Sequence, residues 1–276
     1  MHIAGVIILY NPEQDVFNNI VSYLGALDCL FVVDNSEQPN EELIAKIKEL
    51  PRIEYISFGK NTGISYALNT VLRLSDHYEF LLTMDQDSRF AVGVMNEYKR
   101  MIKVYHEKDK SVAMFSVNYE EEGNLETEVR VVERAITSGS IVNIQIAKAI
   151  GGFDEKLFID EVDAEFCYRA RLNGYKIINF IKIHMQHHLG SSMQVNKLGF
   201  EFTVWNHSAI RKYYIIRNSI YLMKKYPDYR AYYIKAVFKF FIKTILAERD
   251  RKNKIHFMYK GIRDAVTGKM GELENT

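Results

Sequence analysis

The first 90 residues alternate short apolar runs with segments of helical spacing, and this alternation constrains the fold more than any other feature. Ile3–Leu9 is a continuous run rich in β-branched residues, typical of a strand covered on both faces, and Asn11-Pro12 ends it. The remaining segments are predicted strands at 29–36, 53–58 and around 80–82, and predicted helices at 13–26, at 42–50 and within 59–74. This spacing predicts an α/β domain with a mostly parallel central sheet and helices on both faces.

Later segments continue the pattern. Residues 112–119 read as another strand, followed by an acidic turn at 120–123, and the alternation at 125–134 predicts a peripheral hairpin. A β-branched strand and a short helix follow Ser138-Gly139. We expect a catalytic domain at 1–204 and a basic, aromatic-rich helical extension at 205–276.

Polar side chains follow the predicted strands where each one ends: Asn11, Asp34, Asn61, and the pair Asp85 and Asp87. Open α/β sheets bind ligands at that edge. The sequence has no G-x-G-x-x-G, no G-x-x-x-x-G-K-[ST] and no G-x-S-x-G, so dinucleotide, P-loop and hydrolase sites lack their defining residues.

The acidic pair Asp85 and Asp87 stands in the stretch LLTMDQDSRF, residues 81–90. In an extended backbone the two side chains would point the same way. Two such carboxylates suit a hard cation, Mg²⁺ or Mn²⁺, of the kind that also binds substrate phosphates. A solvated acidic turn is the alternative that this short pattern leaves open.

A second acidic cluster runs from Asp160 to Glu165, and helical spacing begins at Asp163. Glu165 and Arg169 are four residues apart, which predicts an ion pair that orients Glu165. Asp163 would lie near a helix N-terminus, where backbone N–H groups keep a carboxylate ionised and able to accept a proton. A simple N-cap role is the alternative.

The pair His187-His188 follows another apolar run. A histidine there could complete the coordination of a divalent ion, although a surface or hydrogen-bonded pair is the alternative. The only cysteines, Cys29 and Cys167, lie in apolar surroundings without a C-x-x-C, which favours a reducing compartment and no zinc site.

Charge divides the chain unevenly. Residues 205–276 carry 16 Lys and Arg against 6 Asp and Glu, a net of +10, whereas the preceding 204 residues carry a net of −9. Within 231–246, Lys235, Lys239 and Lys243 are four apart amid aromatic and aliphatic residues. Such a helix suits an anionic membrane interface but should not cross a bilayer, and packing on the catalytic domain or on another subunit is the alternative. No motif supports nucleic-acid binding.

Taken in order, these pieces resemble the inverting glycosyltransferases of family two, whose nucleotide-sugar-binding fold is called GT-A. The resemblance rests on the motifs ILYNP, VVDNS, KNTGISYALN, MDQDS, TSGS, GGFDEKLFIDEVDAEFCYRA and HHLG, from about residue 3 to 192. MDQDS with FIDEVDAEF and a later RKYYIIRNSIYL is most similar to the rhamnosyltransferase branch.

The resemblance implies roles for individual residues. It assigns Asp163 as the catalytic base, although the acid that usually precedes this base is replaced by Val162. It makes Asp85, Asp87 and His187 the ligands of Mn²⁺ or Mg²⁺. The nucleotide sugar would be bound by Tyr10, Asn11, Asp34, Asn61, Gly63, Asp85, Ser138 and Gly139.

The resemblance implies that the protein transfers a sugar to a glycan or lipid-linked acceptor in the synthesis of a bacterial surface polysaccharide. The donor most favoured by the resemblance is dTDP-rhamnose, which would supply rhamnose. The alternatives are a galactofuranosyl or other hexosyl transferase, a sugar-phosphate nucleotidyltransferase, and a non-catalytic carbohydrate-binding protein. We expect a cytoplasmic location, with peripheral contact on the inner face of the plasma membrane or homo-oligomer formation through the extension.

Overall fold

A computed structural model describes residues 1–119, 128–187, 193–197 and 200–274. The chain divides into two compact units, one of residues 1–154 and 163–188 and the other of residues 155–162 and 189–276. Residues 155–162, which lie within the predicted catalytic domain, thus cluster with the C-terminal helices. The predicted acidic turn at 120–123, the start of the predicted hairpin at 125–134, and residues 188–192 with the rest of HHLG lie outside the described residues.

The strands are β1 (Ile3–Leu9), β2 (Cys29–Asp34), β3 (Ile53–Ser57), β4 (Phe80–Asp85), β5 (Ser88–Phe90), β6 (Val112–Asn118), β7 (Val129–Val131), β8 (Ser140–Asn143), β9 (Lys176–His187), β10 (Met193–Lys197) and β11 (Phe200–Val204). The helices are α1 (Val16–Leu24), α2 (Glu41–Lys48), α3 (Ile64–Leu74), α4 (Val94–Lys108), α5 (Ile144–Ala149), α6 (Val162–Leu172), α7 (Ala209–Lys225), α8 (Arg230–Ala247) and α9 (Arg251–Thr267). Side-chain caps begin several helices; Asn40, for example, accepts a hydrogen bond from the Leu43 N–H at the start of α2.

The first unit is built on one sheet with the strand order β3-β2-β1-β4-β8-β6-β9-β5, and β7 also pairs with β9. The first four strands in this order are mutually parallel, and β8 runs against both of its neighbours. Six of the nine described strands in this sheet point in one direction, so the predicted mostly parallel sheet is confirmed. Within the described part of the predicted hairpin, Val129–Val131 form β7, which pairs with the distant β9, because an alternating pattern indicates a half-buried strand but not its partner.

Burial explains why the central strands read as continuous apolar runs. All six residues of β2 and all seven of β6 are buried. Since successive side chains point to opposite faces, complete burial means that both faces of these strands are covered. The apolar core formed by the sheet and its helices places the ends of β1, β2 and β4 at one edge, where polar residues follow.

The second unit contains the antiparallel pair β10–β11 and the helices α7, α8 and α9. The helices α7 and α9 approach closely at Gly261, where an added Cβ would lie 2.7 Å from the Tyr213 carbonyl oxygen. Among the described residues, none of the helices is both long enough and apolar enough to span a membrane.

Candidate active site

A tight turn, rather than an extended strand, brings the two acids of the central motif together. β4 ends at Asp85, Gln86 and Asp87 form the turn, and β5 begins at Ser88. The prediction that strand alternation alone would align the carboxylates is therefore wrong, because the backbone reverses between them. Ligand atoms of Asp85, Asp87 and His187 nevertheless all lie within 4.8 Å of one another.

His187 reaches this turn through long-range strand pairing. β5 pairs antiparallel with β9, and the register places Ser88 opposite His187, the last residue of β9. His187 Nδ1 lies 2.6 Å from Ser88 Oγ and 3.4 Å from Asp87 Oδ1. The histidine that the sequence offered as a third ligand is thus held beside both acids.

Two serine hydroxyls connect the cluster to β4. Ser138 Oγ accepts a hydrogen bond from the Asp85 N–H at 3.1 Å and donates to Ser88 Oγ at 2.8 Å. Ser88 can then donate to Asp87 Oδ1 while its oxygen accepts from the Nδ1–H of His187. That tautomer leaves the Nε2 lone pair of His187 for a cation, in the way that outer partners orient metal-binding histidines.

The protonation states of the cluster follow from its charges. Burial alone would lower the pKa of His187, but the hydrogen bond and charge of Asp87, with Asp85 adding, outweigh it and raise that pKa. Burial alone would raise the pKa of Asp87, but His187 and the Ser88 hydroxyl lower it overall. Asp87 is therefore a carboxylate at neutral pH, and an imidazolium at His187 must lose a proton before it can bind a cation.

This set of donor atoms fits a divalent cation. Two carboxylates and one imidazole are ligands that Mn²⁺ accepts readily, and the carboxylates alone also suit Mg²⁺. Three protein ligands leave further coordination positions for the oxygen atoms of a diphosphate. The arrangement can hold a metal–diphosphate complex at the carboxyl end of β4.

Gly139 lets the loop beside this cluster pack closely against Met185 of β9. Its φ is +74°, a conformation that other residues rarely adopt, and an added Cβ would lie 2.5 Å from the Met185 sulfur atom. Its N–H donates to the Thr83 carbonyl at 2.8 Å, which fixes the loop against β4. The glycine of the TSGS motif thus allows Ser138 to reach Asp85.

Asp34 lies at the end of β2, as predicted, and is fully buried. Its Oδ1 accepts from the Ser36 N–H at 2.9 Å and its Oδ2 from the Tyr55 hydroxyl at 2.9 Å. Ser36 Oγ in turn accepts from the Asn11 N–H, which links the loops after β1 and β2. Asp34 organises this edge of the sheet, while its contact with a nucleobase stays a prediction.

The loop before α3 holds the next pair of predicted residues. Asn61 Oδ1 accepts from the Gly63 N–H at 3.0 Å, and Gly63 has a φ of +81° where α3 begins. The buried side chain of Asn35 donates to the Gly63 carbonyl at 3.2 Å and accepts from the Thr62 hydroxyl at 3.0 Å. Asn61 and Gly63 therefore lie on one braced loop at the same edge as Asp34.

Gln86 braces Tyr10, the remaining residue predicted to bind the nucleotide sugar. Its Oε1 accepts from the Tyr10 N–H at 2.9 Å and its Nε2 donates to the Tyr10 carbonyl at 3.3 Å. The Tyr10 ring is exposed. The middle residue of the Asp-Gln-Asp turn therefore ties this turn to the loop after β1.

Asp163 lies in the first turn of α6, as predicted, and is half-buried. Its Oδ1 accepts from the Ala164 N–H at 2.7 Å. The predicted ion pair of this helix is confirmed, since Arg169 binds both oxygens of the buried Glu165 at 2.9 and 2.7 Å. Arg169 also donates to the Ile150 and Gly152 carbonyls, so the body of α6 is anchored behind Asp163.

Sequence reasoning missed three contributors: Ser88, Tyr55 and Gln86. Ser88 and Gln86 stand inside the quoted DQDS motif, so their position next to the acids was a usable signal. The role of Ser88 depends on the register with His187, 99 residues away, and that of Tyr55 on the pairing of β2 with β3. Neither pairing follows from local sequence.

Comparison with known proteins identifies the family. Residues 6–163 match the family described as "Glycosyl transferase family 2", and this segment contains the Asp-Gln-Asp turn and Asp163. The chain belongs to this family. It is also 30% identical, over 98% of its own length and 96% of the relative's, to a protein named "dTDP-rhamnosyl transferase RfbF" from Shigella flexneri.

Solved structures agree with the fold. The chain resembles S. aureus TarS residues 1–349, with a TM-score of 0.51 and 16% identity over 67% of this chain and 59% of that one. It also resembles GalNAc-T7, solved with UDP, GalNAc and Mn²⁺, with a TM-score of 0.53 and 12% identity over 67% of this chain and 44% of that one. The GT-A fold expected from the motifs is confirmed, and this family 2 glycosyltransferase carries a C-terminal helical region.

Proposed function

We propose that this chain is a metal-dependent, inverting rhamnosyltransferase that moves rhamnose from dTDP-rhamnose to a glycan or lipid-linked acceptor of surface-polysaccharide synthesis. The observation that carries the donor is the near full-length identity to the dTDP-rhamnosyl transferase of Shigella flexneri. The grouping of Asp85, Asp87 and His187 supports the metal.

Different residues of the chain have different roles in a single displacement reaction at the anomeric carbon. Asp85, Asp87 and His187 would hold Mn²⁺ or Mg²⁺, and the bound cation would neutralise charge on the departing diphosphate. Asp163 accepts the proton of the acceptor hydroxyl as that oxygen attacks the anomeric carbon from the side opposite the diphosphate. A single attack inverts the anomeric configuration and needs no covalent nucleophile on the protein.

A donor panel tests the substrate. Thermal unfolding is followed with dTDP-rhamnose, UDP-galactofuranose, UDP-glucose and UDP-N-acetylglucosamine, each with and without Mn²⁺. We expect the largest rise in melting temperature with dTDP-rhamnose and Mn²⁺ together, because a ligand that binds only the folded state stabilises it. A larger rise with UDP-galactofuranose would favour a galactofuranosyl transferase instead.

The acceptor proposal places the enzyme at the inner face of the plasma membrane through α8. Ile234, Phe238 and Ile245 are 54, 68 and 46% exposed and recur at intervals of four and seven, so they share one side of the helix. The buried Tyr233 and Thr244 each directly precede a residue of this stripe and so lie on a neighbouring side of the helix, about 100° away. An exposed apolar stripe on a helix of a chain region with net charge +10 complements an anionic lipid surface.

Only two of the three predicted lysines fit this membrane proposal. Lys235 and Lys239 are exposed beside the apolar stripe. Lys243 instead donates to the Thr203 carbonyl at 2.8 Å and is half-buried. The predicted three-lysine stripe is therefore reduced to two lysines that are available to lipid headgroups.

A further inference from the structure

The segment that leads into α6 has an unusual backbone. Phe158, Asp160 and Glu161 have φ values of 64°, 62° and 64°, and none of the three is a glycine. A residue with a side chain in this left-handed region costs of order 1 kcal/mol, and such a conformation persists only where the surroundings over-determine it. Asp163, the proposed base, follows two residues after this segment ends.

One buried asparagine on α7 binds the carbonyls of this segment. Asn218 is fully buried, and its Nδ2 lies 2.9 Å from the Leu157 carbonyl oxygen, 2.7 Å from that of Ile159 and 2.9 Å from that of Asp160. The left-handed residues turn these three carbonyls toward one amide. The asparagine therefore stabilises this conformation of the segment. It would not bind the same carbonyls if the segment were extended.

The neighbouring arginine fixes the orientation of that amide. Arg217 is fully buried, and its Nε donates to Asn218 Oδ1 at 3.0 Å, which leaves the amide NH₂ group directed at the carbonyls. Its Nη2 donates to the Leu157 carbonyl at 3.0 Å and to the Lys156 carbonyl at 3.2 Å. The two residues thus act as one unit on the backbone of residues 156–160.

Side chains of the segment are held by the same helices. The Phe158 ring stacks on Tyr214 with centroids 5.1 Å apart. Arg211 lies 3.1 Å from Asp160 Oδ1, and the Tyr233 hydroxyl donates to Glu161 at 2.8 Å. Asp160 and Glu161, the other acids near the proposed base, are therefore occupied in holding the segment.

We propose that Arg217 and Asn218 are positioning residues for Asp163: by holding the backbone of residues 156–161, three of which are left-handed, they fix where α6 begins and where its first-turn carboxylate lies. The inference rests on the proposed role of Asp163 as the base. Because Arg169 anchors the body of α6 independently, loss of the asparagine loosens the first turn without unfolding the helix.

The test compares Asn218→Ala with the matched control Ile216→Ala. Ile216 is a fully buried neighbour on α7 that packs in an apolar cluster with Met258 and Ala265, away from the segment. Both variants lower the melting temperature, but only Asn218→Ala should lower kcat for dTDP release from dTDP-rhamnose, by about 10–100-fold, the cost of a misplaced catalytic group. The affinity for dTDP with Mn²⁺ stays unchanged in calorimetry. An equal loss of kcat in both variants would overturn the proposal.

A double variant separates this inference from the role of Asp163. If Asn218 acts through Asp163, Asp163→Asn with Asn218→Ala is no slower than Asp163→Asn alone, because residues that act as a unit are not additive. Further slowing in the double variant contradicts the inference, whereas near wild-type turnover of Asp163→Asn contradicts only the base assignment.

Hydrogen exchange gives a readout that needs no turnover. Amides of residues 157–163 exchange faster in Asn218→Ala than in Ile216→Ala if the asparagine holds the segment, and equal exchange in the two variants overturns the proposal. Should Asn218→Ala fail to fold, Tyr233→Phe removes only the hydroxyl that donates to Glu161. It should show the same pattern of faster exchange at a milder level.

Discussion

At the scale of single residues, the site depends on side chains that hold one another as much as on those that would touch substrate. Ser88 and Ser138 connect Asp85 to Asp87 and His187 by hydrogen bonds of 2.6–3.3 Å. Such outer partners orient ligands and set their protonation, and their loss typically weakens metal binding 10–100-fold. These contacts preorganise the turn between β4 and β5 for the cation that we propose.

Asp87→Ala should abolish the Mn²⁺-dependent part of dTDP binding, because it removes one ligand and frees His187 from its charge partner. Isothermal titration of dTDP with and without Mn²⁺ measures this directly. The control is Asp76→Ala, which removes a surface carboxylate paired with Lys148. Binding by Asp87→Ala that still responds fully to Mn²⁺ would refute the metal assignment.

Asp163→Asn keeps the shape of the side chain and removes the proton acceptor, so turnover should fall by roughly 10²–10⁴-fold, the usual contribution of a general base. Affinity for dTDP with Mn²⁺ should not change, since Asp163 lies on α6 rather than on the β4–β5 turn. Steady-state rates and calorimetry on the same preparation separate the two effects. Transfer at nearly the wild-type rate would show that another group takes the proton.

At the scale of elements, local signals predicted the strands and helices well wherever burial alone decides them. Ile3–Leu9 was predicted to the residue, and α6 begins one residue before the predicted start at Asp163. The turn at Gln86-Asp87 and the register of Ser88 with His187 were missed, because both depend on pairing between β5 and the distant β9. The left-handed residues 158, 160 and 161 were also missed, because none of them is a glycine and contacts from α7 impose their conformation.

The close packing of α7 and α9 leads us to predict a change in stability opposite to the one that helix propensity predicts. Ala is favoured over Gly inside a helix by about 1 kcal/mol. At Gly261 in α9, however, a Cβ would lie 2.7 Å from the Tyr213 carbonyl oxygen and 3.3 Å from the Arg217 nitrogen. Gly261→Ala should therefore destabilise the protein by about 1–3 kcal/mol, the usual cost of overpacking.

Urea unfolding of Gly261→Ala measures this cost. The control is Gly25→Ala, at the end of α1, where φ is −59° and nothing lies within 4 Å of an added Cβ. That change should be neutral or stabilising by about 0.4–1 kcal/mol, because it restricts the unfolded chain. A stabilised Gly261→Ala variant would show that α7 and α9 do not pack as closely as described.

At the scale of the whole molecule, charge separates residues 205–276 from the rest of the chain. The extension carries a net of +10 and the preceding 204 residues a net of −9. The sequence shows this asymmetry of charge, but it could not show which lysines of α8 are exposed. The hydrogen bond from Lys243 to the Thr203 carbonyl is a tertiary contact that residue spacing alone does not reveal.

Lys235→Gln with Lys239→Gln should weaken binding to anionic vesicles by about 2 kcal/mol, near thirtyfold, at about 1 kcal/mol for each basic side chain. Co-sedimentation with phosphatidylglycerol vesicles at two salt concentrations measures it, because screening reduces the attraction. Lys103→Gln with Lys108→Gln, two exposed lysines of α4, is the matched control. Binding that ignores lipid charge and the α8 replacements would assign this face to a second copy of the chain.

The most direct test of the proposed function is the release of dTDP from dTDP-rhamnose by the purified chain, followed by chromatography with Mn²⁺ and with a chelator. We expect release that requires the metal, falls steeply in Asp163→Asn, and exceeds release of UDP from UDP-galactofuranose or UDP-glucose. Metal-independent release, or a clear preference for one of the UDP-sugars, would contradict it.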